Sequence, residues 1–328
     1  MNLQPVGILG TGKYVPERIL TNQELEQMVE TNDEWIVSRT GIRERRLAAP
    51  EQATSDLAYE AATAALQAAS ITAEELDLII VATITPDMFF PSTACILQDK
   101  LGAKRAAAFD LSAACSGFIY GLATATSMIA SGMYRHALVV GAECLSRITD
   151  FTDRNTCILF GDGAGAVVLG PVPEGRGFRS FELGADGAGG ELLKVSGGGS
   201  RVPATPESLE ARQHFIHMAG SEVFKFAVRI MGNAAEEALR KAGLDKQDID
   251  LLVPHQANIR IIQSAINRLQ VPEDKCMINL DRYGNVSAGS IPIALAEAVE
   301  SGRVKEGDTI VMVGFGGGLT WGASVLTW

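Results

Sequence analysis

The sequence predicts an α/β protein made of two similar halves, and three observations carry that prediction. Strand-like apolar runs alternate with helix-like segments along the 328 residues, as in sheets that are covered by helices. The runs at residues 76–83 and 136–141 are continuously apolar, which is typical of parallel strands buried on both faces. Shifting the chain by 173 residues brings the helix, turn and strand at 66–79 onto those at 239–252, which indicates an internal duplication.

Composition and charge limit the class of protein. Hydrophobic residues make up 47% and charged residues 20% of the chain, a balance that is ordinary for a globular protein. The net charge of −11 argues against a nucleic-acid-binding protein. No apolar run approaches the roughly 18 residues of a membrane span, and residues 1–5 do not resemble a signal peptide. We therefore expect a cytoplasmic protein without a membrane partner.

The cysteines predict neither a disulfide framework nor a metal centre. There are five of them, at positions 95, 115, 144, 157 and 276. They form no CxxC motif and no cluster with histidine, which are the patterns of zinc sites and redox pairs. We therefore expect no bound metal.

The first elements are a strand at residues 6–12, a helix at 22–30 and a second helix that begins after Asn32. The strand ends in Gly-Thr-Gly, but Pro16 prevents a helix from following. A dinucleotide fingerprint requires that helix, so this motif is not one.

A dense basic turn follows at residues 41–46. One interpretation is a solvated loop held by salt bridges. The other is a site for a phosphorylated substrate, in which Trp35 stacks on a flat base and Arg39 pairs with phosphate.

The first half continues with further helices and strands. Its elements are a helix at 55–70, a loop at 86–91, a helix at 93–101, a strand at 106–110 and a helix at 117–129. The glycine-rich run at 160–169 leads into a strand and not into a helix. It therefore indicates close packing within a sheet more than a phosphate-binding loop.

Cys115 is the first candidate for chemistry. It stands where a strand and a run of tiny residues give way to a helix. The first N–H groups of a helix lack internal partners and its dipole favours negative charge there, so the thiol pKa can be lowered. The alternative is a structural cysteine, since free cysteines are commonly buried.

The second half repeats the pattern and adds two candidates. We expect a long mobile loop at 184–201, followed by a helix at 221–243, a strand at 249–255, a helix at 259–269, a helix ending near 301 and a strand at 309–314. His255 ends one strand, although a histidine there is commonly structural. At an offset of 170 residues Cys115 falls on Asn285. Sites in such folds gather at strand ends and helix starts, so these residues are expected to meet where the halves join.

Several motifs, taken together and in order, resemble the thiolase superfamily and, more closely, the β-ketoacyl-acyl-carrier-protein synthase III family. They are Thr31–Val37 with Arg39–Arg45, Phe109–Gly117, Phe160–Ala166, Val253–Asn258, Gly284–Ala288 and Gly314–Gly318. The resemblance covers essentially the whole chain. Thiolases use a second cysteine and elongating synthases use two histidines, whereas this chain presents Cys, His and Asn. Plant-type polyketide synthases share that triad but lack the block around Trp35 and Arg39.

The resemblance implies a thiolase-like fold with α/β/α/β/α layers and a homodimer. It places the nucleophile in an N-terminal half, 1–172, and the histidine and asparagine in a C-terminal half, 173–328. It implies the initiating condensing enzyme of fatty acid synthesis. In that reaction acetyl-CoA acylates Cys115, and malonyl-acyl-carrier protein then loses CO2 and condenses with the acyl group. The CoA thioester is a substrate, and no cofactor is implied.

The resemblance also implies roles for individual residues. His255 and Asn285 donate to the malonyl thioester oxygen, and the backbone N–H groups of Cys115 and Gly317 form an oxyanion hole. The remaining roles are CoA binding for Trp35, Arg39 and Arg154, an acyl-pocket wall that Phe90 supplies across the dimer, and carrier-protein docking for Lys225 and Arg260. Helical spacing extends the docking face to Arg229 and Arg268.

Three alternatives remain. One is a related secondary-metabolite ketosynthase or an acyltransferase that uses CoA thioesters, for which the same triad would serve. Another is a carrier-protein-binding module with a vestigial site, which the intact triad argues against. The third is a purely structural α/β protein. The acyl chain length does not follow from the sequence.

Overall fold

The computed structural model describes residues 4–328. Its strands are β1 (Val6–Tyr14), β2 (Arg18–Thr21), β3 (Glu44–Leu47), β4 (Leu78–Ala82), β5 (Ala107–Leu111), β6 (Ala137–Cys144), β7 (Asp162–Pro171), β8 (Gly177–Ala185), β9 (Leu193–Lys194), β10 (His217–Met218), β11 (Leu251–Pro254), β12 (Thr309–Gly316) and β13 (Thr320–Thr327). Its helices are α1 (Asn22–Leu25), α2 (Asp33–Thr40), α3 (Thr54–Ala69), α4 (Thr93–Leu101), α5 (Gly117–Ala130), α6 (Pro206–Glu210), α7 (Gly220–Ala242), α8 (Ile259–Leu269), α9 (Leu280–Tyr283) and α10 (Ser290–Glu300). Residues 1–3, which begin the predicted N-terminal half, lie outside the described part.

The two main sheets share one strand order. The first runs β1-β7-β6-β4-β5 and the second β8-β13-β12-β11. In the first sheet β4 pairs in parallel with both β5 and β6, and β7 pairs antiparallel with β6 and β1. In the second sheet β11 and β12 are parallel, and β13 pairs antiparallel with β12 and β8. Where β5 flanks β4, the second sheet has only a parallel bridge between Leu252 and Cys276. The predicted duplication is therefore confirmed in the topology.

The helices form three layers around these sheets. The middle layer is α5 with α10, whose buried side chains pack against strands of both sheets. Both helices are apolar around most of their circumference, as expected for helices covered on two sides. The outer layers are α3 with α4 on the first sheet and α7 with α8 on the second. This is the predicted α/β/α/β/α arrangement, and it gives both sheets two covered faces.

The duplication differs from its predicted register at one point. Short 3₁₀ turns at Ala114–Ser116 and Ser287–Gly289 precede α5 and α10, and Ala114 and Ser287 share a φ of 46°. Cys115 therefore corresponds to Ala288 and not to Asn285. The offset of 170 applies only after these helices, because α5 has 14 residues and α10 has 11.

Arg45, in the basic turn at 41–46, fits neither interpretation, whereas Arg46 does pair with Glu44. The second part of the turn is β3, which pairs with β2. Arg45 is fully buried and donates to the carbonyl oxygens of Leu20 and Ile158 and to Asn22 Oδ1. Burial lowers the pKa of Arg45 to about 10. Arg45 therefore links the segment of Leu20 and Asn22 to that of Ile158, and its guanidinium group is not available to bind phosphate.

Two other boundaries were wrong. The helix predicted at 22–30 ends at Leu25, with its first turn held by a capping box between Thr21 and Glu24. The loop predicted at 184–201 contains the end of β8, a 3₁₀ turn at Gly187–Leu192 and β9, which pairs with β10. The long-range pairing of β9 with residues 217–218 was not visible in the local sequence.

The prediction for the glycine-rich run at 160–169 is confirmed. These residues lead into β7, and α10 lies directly on it. A Cβ atom at Gly165 would come within 2.6 Å of the Ile293 nitrogen, so only glycine permits this close approach. Within residues 4–328, none of the helices has the length and apolar character needed to cross a bilayer.

Candidate active site

Cys115 lies in the 3₁₀ turn between β5 and α5, and it is 7% exposed. The end of β12 passes directly over its backbone. A Cβ atom at Gly316 would come within 2.5 Å of the Cys115 nitrogen, so the glycine-rich sequence after Gly314 is required for this approach. The packing brings a strand end of the second half against the nucleophile of the first.

His255 follows β11, whose last residue pairs with Val313 of β12. Its ring is 1% exposed and meets the Phe315 ring edge-on, with centroids 5.7 Å apart. Neither ring nitrogen has a hydrogen-bond partner among the described residues. Burial lowers the pKa of His255 to about 3. The imidazole is therefore neutral at physiological pH and has one N–H to donate.

Asn285 is held by its backbone and by one side-chain bond. Its N–H donates to Leu159 O at 2.8 Å, and its carbonyl accepts from Gly161 N at 3.0 Å. Its side-chain Oδ1 accepts from Ser287 N at 2.8 Å. Because Oδ1 is used in this way, the amide presents Nδ2 as its donor.

The three side chains meet in one narrow cavity of about 100 Å³. Its walls also include the apolar side chains of Phe160, Leu193 and Phe315. The cavity continues between the starts of α7 and α8, past Phe224, Asn258 and Ile261. The predicted gathering of Cys115, His255 and Asn285 is therefore seen in the fold.

A second, wider cavity of about 450 Å³ also reaches Cys115. Its wall is largely apolar and includes Ile84, Leu145, Ile148, Phe160 and Ile216, while Gly317 lies beside Cys115 at its rim. An apolar space that ends on a nucleophile suits a short acyl chain. Sequence reasoning missed these apolar residues because they come from separate segments and have no motif.

Phe90 does not line either of these cavities within its own chain. It is 85% exposed, and its neighbours Phe89 and Met88 are 81% and 50% exposed. The three form an apolar tip on the loop after β4.

Trp35 lies between two guanidinium groups. Arg39 is 4.9 Å and Arg154 is 4.6 Å from the centre of the Trp35 ring, which is the range of cation–π contacts. The helix that carries Trp35 is tied to the start of α8, because Asn258 Nδ2 donates to Arg39 O and the Arg260 guanidinium to Ser38 O, both at 2.9 Å. This cluster therefore lies near the outer end of the narrow cavity.

The predicted basic residues divide into two groups. Lys225 and Arg229 are exposed on α7, and Lys225 pairs only with Glu222, an i,i+3 neighbour. Arg260 is exposed at the start of α8. The Arg268 guanidinium is bound to Glu236 at 2.7 Å. Lys225 and Arg229 line a separate surface cavity beside the start of α7, whereas Arg260 and Arg268 are each engaged within the chain, with Ser38 O and with Glu236.

Comparison with known proteins gives a single answer. The 3-oxoacyl-[acyl-carrier-protein (ACP)] synthase III family matches residues 109–187, and its C-terminal domain matches residues 239–328. The beta-ketoacyl-[acyl-carrier-protein] synthase III of Desulfitobacterium hafniense is 62% identical over 98% of both chains. The chain belongs to the synthase III family. Crystal structures of synthase III from Thermus thermophilus and Aquifex aeolicus superpose with TM-scores of 0.92 and 0.91, at 51% and 48% identity. Each match covers 98% of this chain, together with 99% of the Thermus thermophilus chain and 100% of the Aquifex aeolicus chain.

These findings confirm the family, the fold class and the enzyme class that the sequence predicted. As a synthase III, the protein is an acyltransferase of the condensing type with a thiolase-like fold. Within residues 4–328 there is no group of three or more His, Cys, Asp or Glu side chains that could hold a metal ion.

One expectation about this synthase III was wrong. The start of α5 was expected to lower the pKa of the Cys115 thiol. Burial instead raises that pKa to about 12, the Ser287 hydroxyl lowers it in part, and the charge of Glu143 raises it. Desolvation of the thiolate outweighs the nearby hydrogen bonds.

Proposed function

We propose that this synthase III carries out the first condensation of fatty acid synthesis, with an acyl-CoA as donor and malonyl-acyl-carrier protein as acceptor. The observation that supports it is the position of Cys115, which lies between an apolar cavity and a narrow cavity that holds two neutral donors. This arrangement separates acyl storage from the activation of a second substrate.

The first half-reaction is transfer of the acyl group to Cys115. The sulfur attacks the thioester carbonyl, and negative charge develops on the carbonyl oxygen. The N–H groups of Cys115 and Gly317 are the proposed donors to that oxygen. CoA leaves, and the acyl chain occupies the cavity lined by Ile84, Leu145 and Ile148.

The second half-reaction begins with decarboxylation of the malonyl group. Loss of CO2 places negative charge on the thioester oxygen. Asn285 Nδ2 and the N–H of the neutral His255 are the proposed donors to it, and neither carries a charge that would have to be lost. The resulting carbanion attacks the acyl carbon on Cys115 and gives the β-ketoacyl product.

We assign CoA recognition to Trp35, Arg39 and Arg154. The stacked arrangement of the three offers an aromatic face for a flat base and two cations for phosphate. The hydrogen bonds between α2 and the start of α8 support this assignment, because Asn258, which donates to Arg39 O, also lines the narrow cavity.

We also propose that the enzyme is a homodimer in which Phe90 helps to bound the acyl cavity of the partner. The exposed tip of Met88, Phe89 and Phe90 supports this, since an apolar tip of this size suits an interface. The matching strand orders support a division into halves at residues 1–172 and 173–328. The unpaired state of all five cysteines fits a cytoplasmic location.

Intact mass after mixing the enzyme with acetyl-CoA, followed by malonyl-acyl-carrier protein, tests the proposal. We expect one acetyl group on the enzyme, and its loss together with release of CO2 and β-ketoacyl-carrier protein. A series of longer and branched acyl-CoA donors then measures the capacity of the apolar cavity. An acyl-enzyme that forms but never condenses would point to an acyltransferase, and the absence of an adduct from any donor would overturn the proposal.

Reversal of charge at Lys225 and Arg260 is expected to weaken carrier-protein binding. Acyl-carrier proteins are acidic, and the two exposed side chains lie on α7 and α8, whose first turns line the narrow cavity through Phe224 and Ile261. The double variant Lys225→Glu, Arg260→Glu should raise the KM for malonyl-acyl-carrier protein about tenfold or more, which is ~1.4 kcal/mol, with a smaller change in the rate of acylation by acetyl-CoA.

A matched control is the pair Arg179→Glu and Lys305→Glu. Both residues are exposed, and they lie at the edge of the second sheet opposite the end of β12 that covers Cys115. Their charge reversal should leave the KM for carrier protein unchanged. Equal effects of both pairs would show that net charge alone, and not a docking face, controls the KM.

A further inference from the structure

A buried carboxylate lies close to Cys115 and takes no part in the reaction as described so far. Glu143, near the end of β6, is fully buried. Its Oε2 accepts from Thr83 Oγ1 and Thr85 N at 3.1 Å and from Thr85 Oγ1 at 2.5 Å. Its Oε1 accepts only one long bond, from Ile84 N at 3.3 Å. The hydrogen-bonding capacity of Oε2 is therefore used up, while Oε1 can still accept a proton or a further hydrogen bond.

Ser287 lies in a turn that packs against the elements of both Glu143 and Cys115. It is 1% exposed, and the 3₁₀ turn that it begins packs on β6 and on the turn that holds Cys115. Its hydroxyl has no well-aligned hydrogen-bond partner among the described residues. The same hydroxyl is near enough to both Cys115 and Glu143 to lower the pKa of each. Within residues 4–328 the Ser287 hydroxyl is thus an unpaired polar group in the neighbourhood of both the thiol and the carboxylate, and it needs only to rotate to bond either one.

The ionisable groups around Glu143 are few. On the elements packed against Glu143 the ionisable group is the Cys115 thiol, and on β6 itself it is the Cys144 thiol. The segment Thr83–Thr85, the paired residue Gly163 and the turn Ser287–Gly289 carry no ionisable side chain. Burial raises the pKa of Glu143 to about 7. The carboxylate is thus a base near neutral pH, whereas His255, with a pKa lowered to about 3, is a weak one.

We propose that Glu143 acts as a positioning residue in the known reaction. It takes up the proton of Cys115 through Ser287 and later returns it. This inference rests on the proposed function. In acylation the S–H bond breaks, its proton passes to Ser287 Oγ, and the Ser287 proton passes to Glu143 Oε1. The thiolate forms the bond to the acyl carbon, and CoA leaves as a thiolate that solvent protonates.

Condensation reverses the transfer. The bond between Cys115 and the acyl carbon breaks as the carbanion attacks, and the sulfur leaves as a thiolate. That thiolate regains its proton from Glu143 through Ser287. One turnover therefore consumes a single proton from solvent, which balances the loss of the malonyl carboxylate as CO2.

The test uses two variants that should fold. Glu143→Gln suits the site because Oε2 accepts nearly all of the hydrogen bonds to the carboxylate. The glutamine oxygen can keep those bonds while the amide NH2 takes the place of Oε1. Ser287→Gly removes the hydroxyl, and glycine adopts a φ of 46° without strain. The measurement is the single-turnover rate of acylation by acetyl-CoA between about pH 5.5 and 9, by rapid quench and intact mass, together with thermal unfolding.

The wild-type rate should rise with pH and level off above an inflection near the pKa of Glu143, because only the ionised carboxylate accepts a proton. Both variants should slow acylation about 100-fold and lose that inflection, so that their rates rise with hydroxide alone. Asp162→Asn is the control. Asp162 is also buried and accepts from Ser146 and Ala48, and its loss should lower stability while the inflection remains.

Two results would overturn the relay. One is an inflection that persists in Glu143→Gln, and the other is a slower rate in both variants with the wild-type pH profile, which would assign Glu143 a structural role only. Failure of the proposed function gives a different result, because wild-type enzyme would then form no acyl-enzyme at any pH.

Discussion

Asn285→Ala is expected to slow the decarboxylation of malonyl-acyl-carrier protein about 100- to 1,000-fold, while acetyl transfer to Cys115 remains near the wild-type rate. The removal of one donor to a developing oxyanion commonly raises a barrier by about 2.7–4 kcal/mol. Acylation should be spared because its oxyanion is assigned to the N–H groups of Cys115 and Gly317. Release of labelled CO2 and intact mass measure the two half-reactions separately.

A second variant keeps this prediction testable if the alanine protein is unstable. Alanine leaves the buried N–H of Ser287 without its acceptor, which costs about 1–3 kcal/mol. Asn285→Asp keeps an oxygen for that N–H and removes the amide donor. Its decarboxylation should be at least as slow as that of Asn285→Ala. Wild-type CO2 release in either variant would refute the assigned role of Asn285.

Cys115→Ala should show the opposite pattern. No acyl-enzyme should form, and condensation should fall by about 10⁴-fold or more, since removal of a nucleophile eliminates the covalent route. Decarboxylation of the malonyl group should continue, because it is assigned to His255 and Asn285. Intact mass with acetyl-CoA and CO2 release without any acyl donor are the measurements.

Cys95→Ala is the matched control for that variant. Cys95 is an exposed cysteine on α4, and its replacement should leave the acetyl adduct unchanged. An adduct that survives in Cys115→Ala, or disappears in Cys95→Ala, would assign the nucleophile to another thiol.

Most of the fold and the three candidate catalytic residues could be predicted because their signals are local. Continuous apolar runs revealed the buried strands, and His255 follows such a run. Cys115 follows β5, which is only partly buried, and it stood out through the run of small residues around it. Helix α4, at Thr93–Leu101, has the predicted bounds because Ser92 and Gly102 cap it within the local sequence.

The rest depends on contacts between distant segments. Arg45 was assigned to a surface turn because its charge is visible in the sequence, whereas its buried partners at Leu20 and Ile158 are not. The correspondence of Cys115 with Ala288 became clear only from the shared φ of Ala114 and Ser287. Glu143 has no motif of its own, and its proximity to the thiol results from the contact of β6 with the second half.

The two cavities that meet at Cys115 also have a kinetic consequence. An acyl chain stored in the wider cavity leaves the narrow one free, and the narrow one is the space in which His255 and Asn285 lie. The CoA arm must therefore leave that space before the arm of the carrier protein can enter it. Such alternation is a ping-pong scheme, in which free CoA and malonyl-acyl-carrier protein compete for the same acylated form of the enzyme.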